Sequence, residues 1–265
     1  MQTKDTQTML AGIQDYWTVR AESYSRQNIE EMNNWKREAW RRKILSMAPE
    51  KKVLDILDVG TVPGFFAVNL ALAGHRVTAV DVTEDMLAHA RQNAQDYGAE
   101  VKFLRQNGDF LSLPENSFDL VVSRNVIWNL ERPKQALREW KRVLRPGGRM
   151  VYFDANWYLY LFDEELAAAQ AQNRESLRRQ QAGVQYRHND VPQAKIRQLE
   201  EIAYRLPLSR EPRPAWDQRT LAELGMKRIL VQEDISADVL DENERLEYRL
   251  NPMFMICAQK GDGGD

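Results

Sequence analysis

The feature that most constrains the fold is a regular alternation of short apolar runs with helical segments in the middle of the chain. The apolar runs have the length of strands, and the segments between them have the periodicity or the capping residues of helices. Strands that alternate with helices pair in parallel and carry helices on both faces of the sheet. The alternation therefore predicts an α/β fold, with strands at 53–60, 75–82, 100–106, 118–126 and 149–155.

The segments that flank this alternation predict a cap and a lid. The chain before the first strand has helical periodicity without proline, which predicts N-terminal helices. After the fifth strand the chain is first aromatic and then rich in Gln, Arg and Glu, which predicts a largely helical insertion. A helix capped by Asp217 and two more strands, which can pair antiparallel, then complete the sheet. The predicted domains are a cap over 1–48, a core over 49–155 and 214–260, and a lid over 156–213.

Composition and charge limit the kinds of molecule that the protein is expected to bind. The chain has 37 basic and 39 acidic residues, so its net charge of −2 gives no electrostatic case for nucleic acid. One cysteine and three widely spaced histidines predict no metal site. A polar N-terminus and the lack of a long apolar run predict no leader, no membrane contact and a cytoplasmic protein. Both a monomer and a homodimer remain open.

A glycine-rich turn follows the first predicted strand, in the stretch LDVGTVPGFF at 57–66. Such a turn brings backbone N–H groups and a helix N-terminus close to a ligand without side chains in the way. Asp81 ends the second predicted strand, 21 residues after Gly60, where a carboxylate can accept hydrogen bonds from ribose hydroxyls. The pattern predicts an adenosine-containing ligand, and it does not separate a dinucleotide from other nucleosides.

Further motifs help to distinguish a dinucleotide from another adenosine-containing ligand. Asp58 directly precedes the first loop glycine, and NGDFLSLP at 107–114 follows the third strand. FDLVVSRNVIWNL at 118–130 is followed by ALREWKRVLRPGGRMVYFD. Taken together, these motifs resemble the class I, S-adenosylmethionine-dependent methyltransferases of the type 11 small-molecule kind, over about 50–155 and more weakly over 212–260. The resemblance implies a Rossmann-like, doubly wound, mostly parallel seven-stranded sheet.

The resemblance also implies a chemistry and a set of cofactor-binding residues. The implied reaction transfers the methyl group of S-adenosylmethionine to a small-molecule acceptor and releases S-adenosylhomocysteine. The loop would hold the methionine end of the cofactor, and the end of the second strand would bind the ribose and the adenine. The segment after the third strand would also bind the adenine. The end of the fourth strand would lie beneath the sulfonium. The implied residues in that order are Asp58, Gly60, Thr61, Val62 and Gly64, then Asp81 and Val82, then Asp109 and Phe110, then Arg124 and Asn125.

Val62 departs from the pattern, because the family commonly has glycine at this position. A β-branched residue strongly disfavours positive φ. Either the loop accommodates valine and the cofactor still binds, or the side chain fills the methionine pocket. The second outcome gives a different class of function, a degenerate methyltransferase fold that binds without catalysis.

Methyl transfer needs little beyond a nucleophile held in line with the sulfonium, so few catalytic groups are expected. The candidates near the acceptor are Tyr24, Arg124, Trp128 and Asp154. Aromatic residues in this zone, with Trp157 and Tyr158 among them, fit a pocket and a packed core equally, whereas Phe153 fits the core. Arg124 fits binding of an acceptor carboxylate or pairing with an acid, and Asp154 fits orientation of a substrate amine or a salt bridge to a lid arginine such as Arg187. His188 is a candidate base only by elimination.

Three other interpretations have less support. The lid arginines Arg174, Arg178 and Arg179 fit a solvated helix face better than recognition of an acidic acceptor. A nicotinamide-dependent oxidoreductase is disfavoured by the NGDF and RPGGR segments and by the lack of a Tyr-x-x-x-Lys motif. Methylation of a macromolecule has no support from the neutral charge.

Overall fold

The protein is described from a computed structural model, which describes residues 2–180 and 192–262. Its centre is one seven-stranded sheet with the order β3-β2-β1-β4-β5-β7-β6. All neighbours pair in parallel except β7, which is antiparallel to both β5 and β6. The sheet confirms the predicted α/β class, the strand count and the antiparallel pairing at the end of the chain. The strands are β1 Asp55–Val59, β2 Arg76–Asp81, β3 Val101–Arg105, β4 Phe118–Arg124, β5 Leu144–Asp154, β6 Lys227–Gln232 and β7 Phe254–Gln259.

Helices cover both faces of the sheet and its carboxyl edge. β5 begins five residues earlier than the sequence predicts, because Leu144 already pairs with Phe118 of β4, and the Arg-Pro-Gly-Gly segment forms a register shift before Arg149 pairs with Leu120. The helices are α1 Gln2–Met32, α2 Lys36–Leu45, α3 Phe65–Leu72, α4 Glu84–Tyr97, α5 Pro133–Val143, α6 Glu164–Gln180, α7 Gln193–Ala203, α8 Ala215–Glu223, α9 Ser236–Val239 and α10 Glu242–Glu247. Short 3₁₀ turns lie at Ile127–Asn129, Leu159–Leu161 and Pro207–Arg210.

Two apolar clusters, one on each face, hold the helices to the sheet. Trp40 of α2 packs with Phe66 of α3 and Phe153 of β5 on one face, with ring centroids 4.9–5.8 Å apart. Trp140 of α5 packs with Tyr152 on the other face and donates from Nε1 to the Gly108 carbonyl at 2.9 Å. Phe153 is fully buried, which confirms its assignment to the core.

The N-terminal helices and the lid helices meet over the carboxyl ends of the strands. An added Cβ at Gly12 in α1 would lie 2.8 Å from Cδ1 of Ile202 in α7, so the two helices approach each other closely at this point. Ile13 and Tyr16 share a third apolar cluster with Trp128 and Leu199. The predicted cap and lid are helical where the structure describes them, and the boundaries between domains stay a prediction. Within residues 2–180 and 192–262, no helix combines the length and the apolar character that crossing a bilayer requires.

Candidate active site

A cavity opens at the carboxyl ends of β1, β2 and β4, the edge at which open parallel sheets bind ligands. We call it the sheet-edge cavity, and α1 covers it with Ile13, Trp17 and Tyr24. The predicted cofactor-binding residues that line it are Gly60, Val62, Asp81, Val82, Asp109, Arg124 and Asn125. Most of the residues that the motifs single out therefore converge on one cavity.

The glycine loop takes its shape from three residues with positive φ. Gly60 has a φ of +67°, and a Cβ there would lie 2.3 Å from Cγ2 of Val126. Gly64, the residue before α3, has a φ of +92°, and a Cβ there would lie 3.2 Å from the Cβ of Ala90. Gly64 thus serves the turn and the packing of the loop against α4, and it does not line the cavity.

Val62 lies between these glycines with a φ of +50°, in the left-handed region that a β-branched side chain disfavours. Its backbone N–H donates to Oδ2 of Asp81 at 3.0 Å, which fixes the loop against the end of β2. Its side chain lines the sheet-edge cavity. The loop therefore keeps the backbone that a glycine would adopt, and the valine side chain narrows the space beside it.

Three carboxyl groups at this edge have raised pKa values because they are buried. Burial raises the pKa of Asp58 to about 7, even though Thr61 donates to its Oδ2 at 2.7 Å and Arg124 lies nearby. Burial also raises the pKa of Asp81 and of Asp109. A positively charged ligand near these buried groups would lower their pKa values and favour the charged carboxylate form.

Asp81 is held in place by two backbone donors and has the spare acceptor capacity that a ribose site needs. Its Oδ1 accepts the backbone N–H of Thr83 at 2.9 Å, and its Oδ2 accepts that of Val62. A carboxylate has about four lone-pair positions, so both oxygens can accept further hydrogen bonds. The residues of this cavity therefore fit an adenosyl group.

Arg124 ends β4 at the floor of the sheet-edge cavity. Its Nη1 donates to Oε2 of Glu31 in α1 at 3.0 Å. The guanidinium carbon lies 4.9–5.2 Å from the ring centroids of Trp40, Phe65 and Phe66. The sequence left open whether Arg124 binds an acceptor carboxylate or pairs with an acid. In the structure Arg124 pairs with Glu31, and this pair joins α1 to the sheet.

A second cavity of about 350 Å³ adjoins the first, beneath α1, α6 and α7. We call it the aromatic chamber. Trp17, Tyr24 and Asn125 line both cavities, so the two meet at these residues. The other aromatic residues of the chamber are Tyr16, Trp128, Trp157, Tyr158, Tyr160 and Tyr248. Trp128, Trp157 and Tyr158, which the sequence left between pocket and core, line the chamber.

Asp154 lies behind the chamber and does not line it. Arg213 donates to its Oδ2 from Nη1 at 2.6 Å and to Asp217 from Nε and Nη2, and all three side chains are buried. Asp154 also accepts from the backbone N–H of Trp128 at 3.1 Å and from Nε1 of Trp157 at 3.0 Å. The contacts support the salt-bridge alternative for Asp154, with Arg213 as the partner, and its role is to position two walls of the chamber.

Several predicted residues lie elsewhere. Asp58 and Thr61 are buried beneath the loop, and Phe110, 70% exposed, lies outside both cavities. Asp217 is not a cap, because it lies inside α8 and is bonded to Arg213. Arg174 lines the chamber, whereas Arg179 is exposed and pairs with Glu175. Arg187, His188 and the side chain of Arg178 lie outside the described residues.

The sequence analysis missed the residues that join the cap and the lid to the site. Glu31 gave no signal, because its partner Arg124 lies 93 residues away. Arg213 had a local signal in its four-residue spacing from Asp217, and that spacing is also common on solvated helices. The described residues of the chamber also include Arg20, which is 1% exposed and lies 5.3 Å from the ring centroid of Tyr24.

Comparison with known proteins agrees with the motifs. Residues 57–152 match the family model described as a methyltransferase domain. A demethylmenaquinone methyltransferase of Thermus thermophilus is 38% identical over 117 residues, which are 43% of this chain and 53% of the relative. A phosphatidylethanolamine N-methyltransferase of Cereibacter sphaeroides is 37% identical over 100 residues, 36% of this chain and 48% of the relative. The chain therefore spans about half the length of the curated relatives it matches.

The solved structures extend the likeness to the fold of most of the chain. The phosphoethanolamine N-methyltransferase 2 of Haemonchus contortus, solved in complex with S-adenosyl-L-methionine, superposes with a TM-score of 0.58. It is 18% identical, and the match covers 84% of this chain and 53% of that one. Residues 57–152 thus resemble a methyltransferase domain in sequence, and most of the chain resembles a solved methyltransferase in fold.

Proposed function

We propose that the protein transfers the methyl group of S-adenosylmethionine to a small-molecule acceptor and releases S-adenosylhomocysteine. The observation that carries this proposal is the pair of adjoining cavities. One is lined by the glycine loop and by carboxylates at the strand ends, the other by aromatic side chains, and they meet at Trp17, Tyr24 and Asn125. A donor and an acceptor bound in the two cavities would touch at that junction.

The carboxyl groups of the sheet-edge cavity support a cationic ligand. Asp81 would hold the ribose hydroxyls and Asp109 the adenine edge, with Val82 against the adenine face. Asp58, beneath the loop, has a pKa raised to about 7 and would regain its charge beside a positive ligand. The cofactor supplies an electrophilic methyl group on its positive sulfur.

The residues of the chain act mainly by orienting the reactants and excluding water. Tyr24 and Trp17 of α1 would close the junction from above, with their rings 5.6 Å apart in an edge-to-face arrangement. Trp128 is fixed by two hydrogen bonds, one to Asp154 and one from Nε1 to the Asn125 carbonyl at 2.9 Å. A wall held in this way keeps the acceptor near the attacking geometry, which lowers the barrier by orienting the reactants in advance.

The proposal is tested by calorimetric titration of the full chain with S-adenosylhomocysteine, followed by the same titration of Asp81→Asn. We expect binding by the unmodified chain and a loss of about tenfold or more in the variant, because one charged acceptor oxygen becomes an NH2 group that cannot accept from ribose and the other becomes neutral. Asp96→Asn is the matched control, because Asp96 is exposed near the far end of α4. Equal affinity of the Asp81 variant and the control would refute the ribose site.

A second candidate is a non-catalytic binding protein with the same fold. The position of the Val62 side chain in the sheet-edge cavity favours it. The two candidates differ in the same titration, because a closed site does not bind S-adenosylhomocysteine. The absence of any heat of binding, with the chain folded, would favour the second candidate over the first.

A further inference from the structure

The aromatic chamber contains two amide oxygens that lack hydrogen bonds. Oδ1 of Asn125 and Oδ1 of Asn251 are buried, and neither has a partner among the residues that the structure describes. Both residues line the chamber, and Asn125 also lines the sheet-edge cavity. Because a buried acceptor without a donor costs about 1–3 kcal/mol, these oxygens indicate a ligand that donates hydrogen bonds.

The backbone holds Asn125 rigidly at the junction of the two cavities. Its N–H donates to the Phe153 carbonyl at 2.8 Å, and its carbonyl accepts from Nε1 of Trp128. Its φ of +59° lies in the left-handed region, which asparagine tolerates better than most residues. Asn125 is therefore held beside the point where the methyl group would pass from donor to acceptor.

The charges around the chamber balance, so they do not by themselves choose the acceptor. Glu200 and Glu247 line it together with Arg20 and Arg174. Arg20 lies beside the junction, because its guanidinium carbon is 5.3 Å from the ring centroid of Tyr24. The positive charge of a sulfonium would disfavour an ammonium group at the junction and favour the neutral amine.

Resting on the proposed methyl transfer, we propose that the acceptor is an aromatic or apolar amine whose nitrogen donates an N–H bond to Oδ1 of Asn125. Any extra proton of the amine passes to water before transfer, so that a lone pair is free. That lone pair forms the N–C bond while the S–C bond breaks and its electron pair goes to sulfur. The nitrogen becomes positively charged and then gives one of its protons to water.

This geometry separates amines from the other acceptors. The attacking atom of a carbon or thioether acceptor is not a hydrogen-bond donor toward the Asn125 oxygen, and a thiol is only a weak donor. A hydroxyl can donate its hydrogen, and it must also lose that hydrogen to a base during transfer. An amine donates one hydrogen and attacks with its lone pair, so it satisfies Asn125 without a base at the junction.

The test titrates 2-phenylethylamine, 2-phenylethanol and 2-phenylethanethiol into the full chain saturated with S-adenosylhomocysteine. We expect the amine to bind about tenfold or more tightly than the thiol, which corresponds to about 1.4 kcal/mol. Asn125→Gly should remove that preference without adding backbone strain, and Asn125→Asp, which keeps an oxygen there, should retain it. With ¹³C-methyl-labelled S-adenosylmethionine, the label should appear on nitrogen.

The titration with S-adenosylhomocysteine alone separates the two proposals. If that ligand does not bind, the proposed function fails. If it binds but none of the three probes does, or if the thiol or the alcohol binds as tightly as the amine, the amine class is wrong. The same holds if the preference survives in Asn125→Gly, or if the label appears on oxygen, sulfur or carbon.

Discussion

At the residue scale, the glycine loop shows how a fold can retain a backbone that its sequence disfavours. Val62 has a φ of +50° although valine rarely adopts that region, because its neighbours fix the loop. Its N–H bonds to Asp81, and the N–H groups of Gly60 and Thr61 both bond to the Val80 carbonyl at 2.8 and 3.0 Å. The sequence showed that valine stands at position 62, where the family commonly has glycine. It could not show that the backbone would remain in the glycine conformation.

We predict that Val62→Gly stabilises the fold and tightens cofactor binding. The left-handed conformation costs valine about 1–2 kcal/mol, which the change to glycine removes. Glycine also gives the unfolded chain more conformational freedom, which lowers the stability by about 0.5–1 kcal/mol. The net gain in the free energy of unfolding should be about 0.5–1 kcal/mol, measured by urea denaturation. Affinity for S-adenosylhomocysteine should rise in calorimetry, because the side chain no longer narrows the cavity.

Arg228→Gly provides the matched control for that change. Arg228 also has a positive φ, +48°, and it is exposed on β6, away from both cavities. It should therefore show the backbone effect on stability without a change in cofactor affinity. A Val62 variant with the affinity of the unmodified chain would mean that the valine does not hinder the ligand.

At the element scale, the buried group of Arg213, Asp154 and Asp217 joins the start of α8 to the end of β5. The charges are taken from water, so each one depends on its partner. The Tyr152 hydroxyl donates to Oδ1 of Asp217 at 2.9 Å, which extends the network to the core of the sheet. The sequence predicted that α8 exists and that Asp154 needs a partner. It could not identify that partner, since burial rather than spacing decides which arginine is used.

We predict that Arg213→Met lowers the free energy of unfolding by about 3–5 kcal/mol, because it leaves two buried carboxylates without a cation. Arg219→Met is the matched control within α8, since Arg219 is exposed and lies 3.8 Å from the Glu211 carboxylate. The control should lose no more than about 1 kcal/mol. Urea denaturation measures both variants, and similar losses in the two would show that the buried network contributes no more than a surface pair.

At the scale of the whole molecule, the sequence predicted the sheet better than the parts that cover it. Strand periodicity and the glycine loop are local signals, so the strand count and the convergence of Gly60, Asp81 and Asp109 could be read from them. Covering the site depends on contacts between distant segments, such as Glu31 with Arg124 and Gly12 with Ile202. Such contacts leave no periodic pattern, and they decide which residues enclose the acceptor.

α1 is the element that encloses both cavities. The residues that do so recur every three or four positions and therefore share one face of the helix. Ile13, Trp17 and Tyr24 line the sheet-edge cavity, and Tyr16, Arg20 and Gln27 extend that face over the aromatic chamber. A ligand in either cavity thus contacts α1 directly, and opening of this helix is the motion that ligand binding should oppose.

We predict that S-adenosylhomocysteine slows amide hydrogen exchange in residues 13–28 of α1 at labelling times at which only local opening is sampled. At long times binding protects every amide that exchanges through global unfolding, so only the short times distinguish a local cover. Residues 215–232, which include α8 and β6, do not line either cavity and provide the internal reference. Exchange measured by mass spectrometry should therefore slow in α1 and stay unchanged in the reference segment. If both segments change equally at short times while the ligand is bound, α1 does not act as the cover, and the reactants must be shielded from water by the lid helices instead.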